Sequence, residues 1–166
     1  MLFLEREKKI YLENPSIQPD LENETYVIGR LLKPEARKDI VDLLENAGVL
    51  PTSMMDISDG LSSEILHICE QSGVGCALYE DKIPIHEDTR QAAFKFQIDP
   101  TACALSGGED YELLFTVRQE DYAKIEAIGQ ISIIGYITDA AKGAHIITKS
   151  GNLHTLTAQG WNAFKK

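Results

Sequence analysis

The sequence is poor in cysteine, has few basic residues relative to acidic ones, and contains no long hydrophobic run. Its three cysteines, Cys69, Cys76 and Cys103, form no CxxC pair, which argues against a disulfide framework and against a zinc site. No apolar stretch approaches the roughly 20 residues of a membrane-spanning helix, and residues 1–9 are too charged for a secretory signal. We therefore expect a cytoplasmic protein with reduced thiols and no membrane partner.

The shortage of positive charge limits the choice of ligands. Sixteen Lys and Arg residues stand against 26 Asp and Glu residues, giving a formal net charge of −10. Such a chain repels phosphate backbones, so nucleic acid is an unfavourable partner. If the protein handles phosphates, metal cations or a basic partner domain must offset this charge.

With 166 residues, of which 43% are hydrophobic, the chain is long enough for a domain with a full core. Hydrophobic periodicity and turn residues predict helices and strands in mixed order, which favours an α+β fold in layers, with a mixed sheet. Pro34 fits the first turn of the second predicted helix. The predicted helices cover residues 2–12, 33–47, 61–71, 86–96, 100–105, 119–128 and 157–164, and the predicted strands cover residues 53–55, 74–79, 111–117, 131–137, 144–148 and 152–156.

Residues 56–61, Asp-Ile-Ser-Asp-Gly-Leu, form a segment that we call the acidic turn. Asp56 and Asp59 can face one side of a turn and hold a hard cation such as magnesium, and the Ser58 hydroxyl can donate to a phosphate oxygen. The following helix start favours an anion close by. The alternative is structural, because Asp and Ser often cap helices and Asp-Gly often forms a turn. An EF-hand is excluded by the spacing of the acidic residues.

Residues 106–112, Ser-Gly-Gly-Glu-Asp-Tyr-Glu, precede a predicted strand, and we call them the glycine loop. Paired glycines allow a close approach of a ligand to the backbone. Glu109 and Asp110 then lie at the start of the strand, where they can meet a cationic substrate or a second metal ion. A glycine turn with hydrated acids explains the segment equally well. No lysine follows, so this is not a phosphate loop of the GxxxxGK type.

Two aromatic residues, Trp161 and Phe164, share one face of the predicted terminal helix. Such a face can stack on a heterocycle or hold a cation over a ring, and it can equally pack into the core. Arg30, Lys33 and Arg37 could meet phosphate, but we interpret them as a hydrated helix face.

Taken in order, the acidic turn preceded by Met55, the segments Ser72-Gly73-Val74-Gly75 and Ile83-Pro84, the glycine loop followed by Leu-Leu-Phe-Thr, and Gly160-Trp161 resemble the thiamine-monophosphate kinase family of the AIR synthase-related superfamily. The resemblance runs from about residue 2 to the end of the chain. The glycine loop together with the Leu-Leu-Phe-Thr that follows it distinguishes this family from relatives that share its architecture.

This resemblance implies a layered α/β/α carboxyl-terminal domain. It also implies an activity, the ATP-dependent, magnesium-dependent phosphorylation of thiamine monophosphate to thiamine diphosphate. By position, Asp56 and Asp59 would be magnesium ligands, Ser58 an ATP contact and Glu109 a substrate contact. An aromatic near the end of the chain would also contact the substrate, and we assign this role to Trp161, with Phe164 as the alternative.

The resemblance further implies a division of the chain. Residues 1–25 would be a linking helix and connector from an amino-terminal domain that this chain lacks, and residues 26–166 would be the carboxyl-terminal domain. We therefore expect the isolated domain to be inactive, and the oligomeric state of the full-length protein, a homodimer among the options, stays open. Two alternatives also stay open: a stand-alone module that binds a cation or nucleotide, and a domain of a related ATP-dependent synthetase.

Overall fold

The computed structural model describes residues 2–18, 21 and 24–158. In this part of the chain, helices and strands alternate irregularly, with three short 3₁₀ turns between them. The helices are α1 (Leu2–Glu13), α2 (Thr25–Leu32), α3 (Lys38–Asn46), α4 (Leu61–Ser72), α5 (Glu87–Lys95), α6 (Pro100–Ser106) and α7 (Tyr122–Glu126). The strands are β1 (Ser53–Asp56), β2 (Val74–Tyr79), β3 (Leu113–Thr116), β4 (Gly135–Asp139), β5 (Ala144–Ile147) and β6 (Leu153–Thr155).

The described strands form two sheets. A four-stranded sheet has the order β4-β2-β5-β6, in which β2 pairs antiparallel with β4 and parallel with β5. Strand β2 is central, and its residues 75–78 are all buried. A separate antiparallel pair joins β1 to β3. The predicted α+β class with a mixed sheet is therefore confirmed.

Helix α4 carries the acidic turn at its amino-terminal end. Leu61, Ile65 and Ile68 recur on one face and pack into the core. The first turn of the helix, residues 61–64, is buried on all sides, whereas residues 70–72 at its end are exposed. The helix ends at Gly73, whose left-handed backbone (φ 63°) accommodates the end of a helix. The helix is therefore fixed at both its buried face and its carboxyl end.

The core has two parts. Residues of α4 and of the four-stranded sheet form the larger cluster, which includes Leu61, Cys76 and Leu78. A smaller cluster joins α3 to α7 and contains Leu44 and Ile125. Hydrophobic side chains of β3 pack against both clusters, so the β1–β3 pair lies between them.

One helix of the structure was not predicted, and another starts later than expected. Helix α2 contains Gly29 and three β-branched residues and buries no side chain, so its local helical signal is weak. The helix predicted over residues 33–47 begins only at Lys38. Pro34 disfavours helical geometry at the residue before it, and residues 33–37 are not helical.

Three further predictions differ in extent. Residues 119–128 form a 3₁₀ turn followed by the short α7, rather than one helix. The strand predicted over residues 131–137 starts at Gly135, where pairing with Leu78 of β2 begins. The helix predicted over residues 157–164 lies outside the described residues, except for residues 157 and 158, which are not helical.

Candidate functional site

The acidic turn and the glycine loop lie side by side. In the β1–β3 pair Asp56 lies opposite Leu113, and backbone hydrogen bonds continue this pairing beyond the strands. The N–H of Ile57 donates to the carbonyl of Glu112, and the N–H of Tyr111 donates to the carbonyl of Ile57, each at 2.8 Å. The two segments, about fifty residues apart in sequence, therefore form one structural unit.

Beyond the strands, a further backbone hydrogen bond joins the acidic turn to the glycine loop. The N–H of Glu109 donates to the carbonyl of Ser58 at 2.8 Å. Gly108 lies against the same carbonyl so closely that a Cβ atom there would overlap it. The glycine is therefore required by the contact, as the close approach of two backbones demands.

Gly60 meets a second constraint at the start of α4. Its backbone has φ 116° and ψ 150°, a region that residues with a Cβ atom avoid. A Cβ atom at this position would lie 2.8 Å from the carbonyl oxygen of Leu105 and 3.0 Å from the Cα of Ser106. Gly60 thus allows the acidic turn to rest directly on the end of α6.

The predicted metal ligands lie on the surface of this unit. Asp56 and Asp59 are exposed and Ser58 is half-buried. The described residues contain no group of three or more His, Cys, Asp or Glu side chains that could hold a metal ion. Magnesium in nucleotide sites is nevertheless commonly held by one or two carboxylates together with substrate phosphates and water. Asp56 and Asp59 fit this kind of site, in which the protein supplies only part of the coordination.

Glu109 is exposed and has a positive φ of 70°. Its carboxylate accepts a hydrogen bond of 2.7 Å from the hydroxyl of Tyr111. This bond, the negative charge of Glu109 and the more distant charge of Asp56 raise the pKa of Tyr111. Asp56, the metal-ligand candidate, and Glu109, the substrate-contact candidate, thus both contribute to the raised pKa of the same tyrosine.

Sequence reasoning did not assign a role to Glu64, in the first turn of α4. Its side chain is only 2% exposed, and its Oε1 accepts a hydrogen bond of 3.0 Å from the N–H of Asp59. Its Oε2 is buried without a hydrogen-bond partner among the described residues. The acid in the first helical turn was the available signal, but first-turn acids usually stay in water.

Two arginines interpreted as a hydrated face in fact bind the glycine loop. Arg30 donates from Nη2 to the carbonyl of Asp110 and to Oε1 of Glu112, both at 2.8 Å. Arg37 pairs with the other oxygen of Glu112 and with Asp39. The interpretation of Arg30 and Arg37 as hydrated was therefore wrong: they tie the α2 region to the loop that carries Glu109.

A cleft of about 1610 Å³ opens beside the glycine loop. Residues of α2, α5, β3 and β4 line it, and Gly107, Glu109 and Asp110 contribute polar groups to its wall. The stacked rings of Tyr26 and His86, 3.7 Å apart at their centroids, border the same space. A typical small-molecule site measures about 300–1,000 Å³, so the cleft has room for more than one small ligand.

Trp161 and Phe164 lie outside the described residues, so their assignment stays a prediction. No helix in the described ranges has the length and apolar character needed to cross a membrane.

The architecture and the paired loops define a layered α/β domain whose candidate site suits an anionic ligand bound with a cation. A family model described as "AIR synthase related protein, C-terminal domain" matches residues 14–148. The chain belongs to this family.

Known relatives narrow the comparison. The chain is 32% identical to a thiamine-monophosphate kinase of Pyrococcus horikoshii over 84% of its own length and 41% of that protein. It is 33% identical to a thiamine-monophosphate kinase of Buchnera aphidicola, covering 95% of this chain and 47% of the relative. A solved structure of AaThiL complexed with AMPPCP and TMP superposes with a TM-score of 0.73 at 28% identity, over 93% of this chain and 46% of the other. The chain thus spans less than half of the length of each of these relatives.

Proposed function

We propose that this chain is the carboxyl-terminal domain of a kinase that transfers the γ-phosphate of ATP to thiamine monophosphate, giving thiamine diphosphate. The observation that carries the proposal is the backbone junction between the acidic turn and the glycine loop, closed by the bond from Glu109 to Ser58. It supports the proposal because it brings together the residues that we assign to these roles: Asp56 and Asp59 for the cation, Ser58 for ATP and Glu109 for the substrate. The similarity to two thiamine-monophosphate kinases over most of this chain supports the same activity.

We assign Asp56 and Asp59 as magnesium ligands and Ser58 as a contact to ATP. When bound, magnesium would neutralise charge on the phosphates. The chain's own contribution is to hold two carboxylates beside the amino-terminal end of α4, where the helix dipole favours an anion. Such roles for the cation and for the chain suit phosphoryl transfer, in which a protein mainly aligns groups and stabilises charge. The bond from the γ-phosphorus to the β-bridging oxygen breaks as a bond to an oxygen of the substrate phosphate forms.

On the substrate side we assign Glu109 to the thiamine moiety, whose thiazolium ring carries a positive charge. A carboxylate near this ring is favourable by simple Coulomb attraction. The hydrogen bond from Tyr111 fixes one oxygen of Glu109, and the pairing of Glu112 with Arg30 and Arg37 anchors the loop. An aromatic side chain, Trp161 or alternatively Phe164, would cover the ring from another side.

The proposal includes the division of the chain into residues 1–25, a linking helix and connector from an amino-terminal domain, and residues 26–166, the carboxyl-terminal domain. The coverage of less than half of each relative supports it. The amino-terminal domain would supply further metal ligands and much of the ATP site, and a homodimer of the full-length protein is one arrangement to be tested. Three free cysteines agree with a cytoplasmic location.

The test is a kinase assay on the protein translated from the whole reading frame that contains this chain. With ATP, magnesium and thiamine monophosphate, we expect formation of thiamine diphosphate, detected by chromatography. The 166-residue chain alone should give no turnover. Failure of the longer protein to form the product, with magnesium present, would refute the proposed activity, and turnover by the short chain would refute the need for a second domain.

A further inference from the structure

A buried carboxylate lies directly behind the acidic turn. Glu64 is among the most completely buried large side chains described, with 2% of its surface exposed. Carboxylates are seldom fully buried unless they are paired, and leaving a polar atom without a partner in a protein interior is costly. A side chain that is retained in such a position calls for an explanation beyond packing.

Half of the explanation is visible. The Oε1 atom of Glu64 accepts the N–H of Asp59 at 3.0 Å, so it fixes the backbone of a residue that we assign to the metal. Because Glu64 is buried whereas Asp59 is exposed, this bond holds the backbone of Asp59 from the interior side of the turn.

The second carboxylate oxygen of Glu64, Oε2, has no hydrogen-bond partner in the described part of the chain. The carboxylate group can accept several hydrogen bonds, and the one in use involves only Oε1. Groups behind a metal site commonly orient the ligands and the bound water molecules, and their loss typically lowers metal affinity about 10–100-fold.

The geometry points to Glu64 as a positioning residue of the cation site: Oε1 fixes Asp59, and Oε2 accepts a hydrogen bond from a water molecule held by the cation. This inference rests on the proposed function, because it requires a cation at Asp56 and Asp59. Glu64 is not a ligand itself, in keeping with the absence of a three-carboxylate metal cluster among the described residues.

The test is a titration with Mn²⁺, in the presence of ATP, of the protein translated from the whole reading frame that contains this chain, followed by the electron paramagnetic resonance signal of free Mn²⁺. E64Q is the informative variant, because its amide oxygen can still accept the N–H of Asp59 while the second oxygen is replaced by a donor. D56N removes a proposed ligand. E70Q is the matched control, since Glu70 is exposed on the same helix. Thermal unfolding and hydrogen exchange of the Asp59 amide report whether E64Q keeps the fold and the turn.

We expect E64Q to keep its unfolding temperature and the protection of the Asp59 amide while its Mn²⁺ affinity falls about 10–100-fold, with E70Q matching the unchanged chain. If D56N weakens binding and E64Q does not, Glu64 has no role toward the cation and the inference fails, but the proposed cation site survives. If E64Q loses the fold or the protection of the amide, E64D is the second variant, and unchanged Mn²⁺ affinity in a folded E64D overturns the inference because its shorter side chain cannot reach both positions. Absence of any Mn²⁺ binding by the unchanged longer protein refutes both proposals.

Discussion

Replacing Gly60 with alanine tests whether the acidic turn depends on direct contact with the end of α6. Two costs follow from the structure. The backbone at Gly60 (φ 116°, ψ 150°) is in a region where other residues are strained by about 1–3 kcal/mol. The new Cβ atom would also lie 2.8 Å from the carbonyl oxygen of Leu105, and forcing an extra group into a packed site typically costs about 1–3 kcal/mol. We therefore expect G60A to lower the free energy of unfolding by about 2–6 kcal/mol.

Two glycines serve as controls that separate these costs. Gly73 also has a positive φ of 63°, but a Cβ atom there would meet nothing within 4 Å. G73A should therefore show only a backbone cost of about 1–2 kcal/mol. At Gly129 neither a positive φ nor a neighbour within 4 Å opposes a side chain, so G129A should leave stability within about 0.5 kcal/mol of the unchanged chain.

The measurement is urea unfolding followed by far-ultraviolet circular dichroism, from which the free energy of unfolding is extrapolated. The expected order of destabilisation is G60A, then G73A, then G129A. If G60A is no more destabilising than G73A, the contact with Leu105 has no energetic weight, and the account of how the acidic turn is positioned is wrong.

Three further predictions use other parts of the site. Replacing Glu112 with alanine removes the anchor of the two arginines and should cost about 1 kcal/mol of stability, because partly exposed ion pairs are worth about 0–1 kcal/mol each; urea unfolding in low and high salt should show the effect shrinking as salt screens the pairs. In E109Q the raised pKa of Tyr111 should fall toward its ordinary value; ring signals in an NMR titration measure it. Because the pKa of Tyr111 is raised in the folded chain, the hydrogen bond to Glu109 contributes its full stabilisation below the ordinary tyrosine pKa and loses it as pH rises through the raised pKa. The free energy of unfolding of the unchanged chain should therefore fall in this alkaline range, and it should fall less in E109Q. Burial next to another thiol raises the pKa of Cys76 to about 12, so Cys76 should resist Ellman's reagent at pH 8 until urea unfolds the chain; modification of Cys76 in the folded chain, located by mass spectrometry, would contradict this burial.

Much of the fold could be predicted because its strongest signals are local. The limits of β2 were predicted without error, and those of α4 to within one residue at its end, since an apolar pattern marks each element and Gly73 separates them. Helix α2 escaped prediction because its helical propensity is weak and it buries no side chain. What local propensity does not encode is the pairing of Arg30 with the glycine loop, and this long-range contact favours the position of α2.

The candidate site shows the same limit at the level of chemistry. Asp56 and Asp59 could be selected from residue type and spacing, since carboxylates in a turn before a helix are natural cation ligands. Nothing in the local pattern says that Ser58 would receive the N–H of Glu109, because that bond depends on the antiparallel register of two distant strands. The family resemblance predicted that the acidic turn and the glycine loop belong together, and the register of the β1–β3 pair explains physically why they lie side by side.

Glu64 marks the point at which sequence reasoning fails for a reason of principle. An acidic residue in the first turn of a helix is expected at the surface, where it interacts with the helix dipole and water. Only the packing of α4 against α6 and the sheet reveals that this one is buried. Burial changes its meaning, because a carboxylate removed from water must find partners or be destabilising. One partner is the backbone of Asp59, and the oxygen left over is what links the interior of the domain to the proposed cation site.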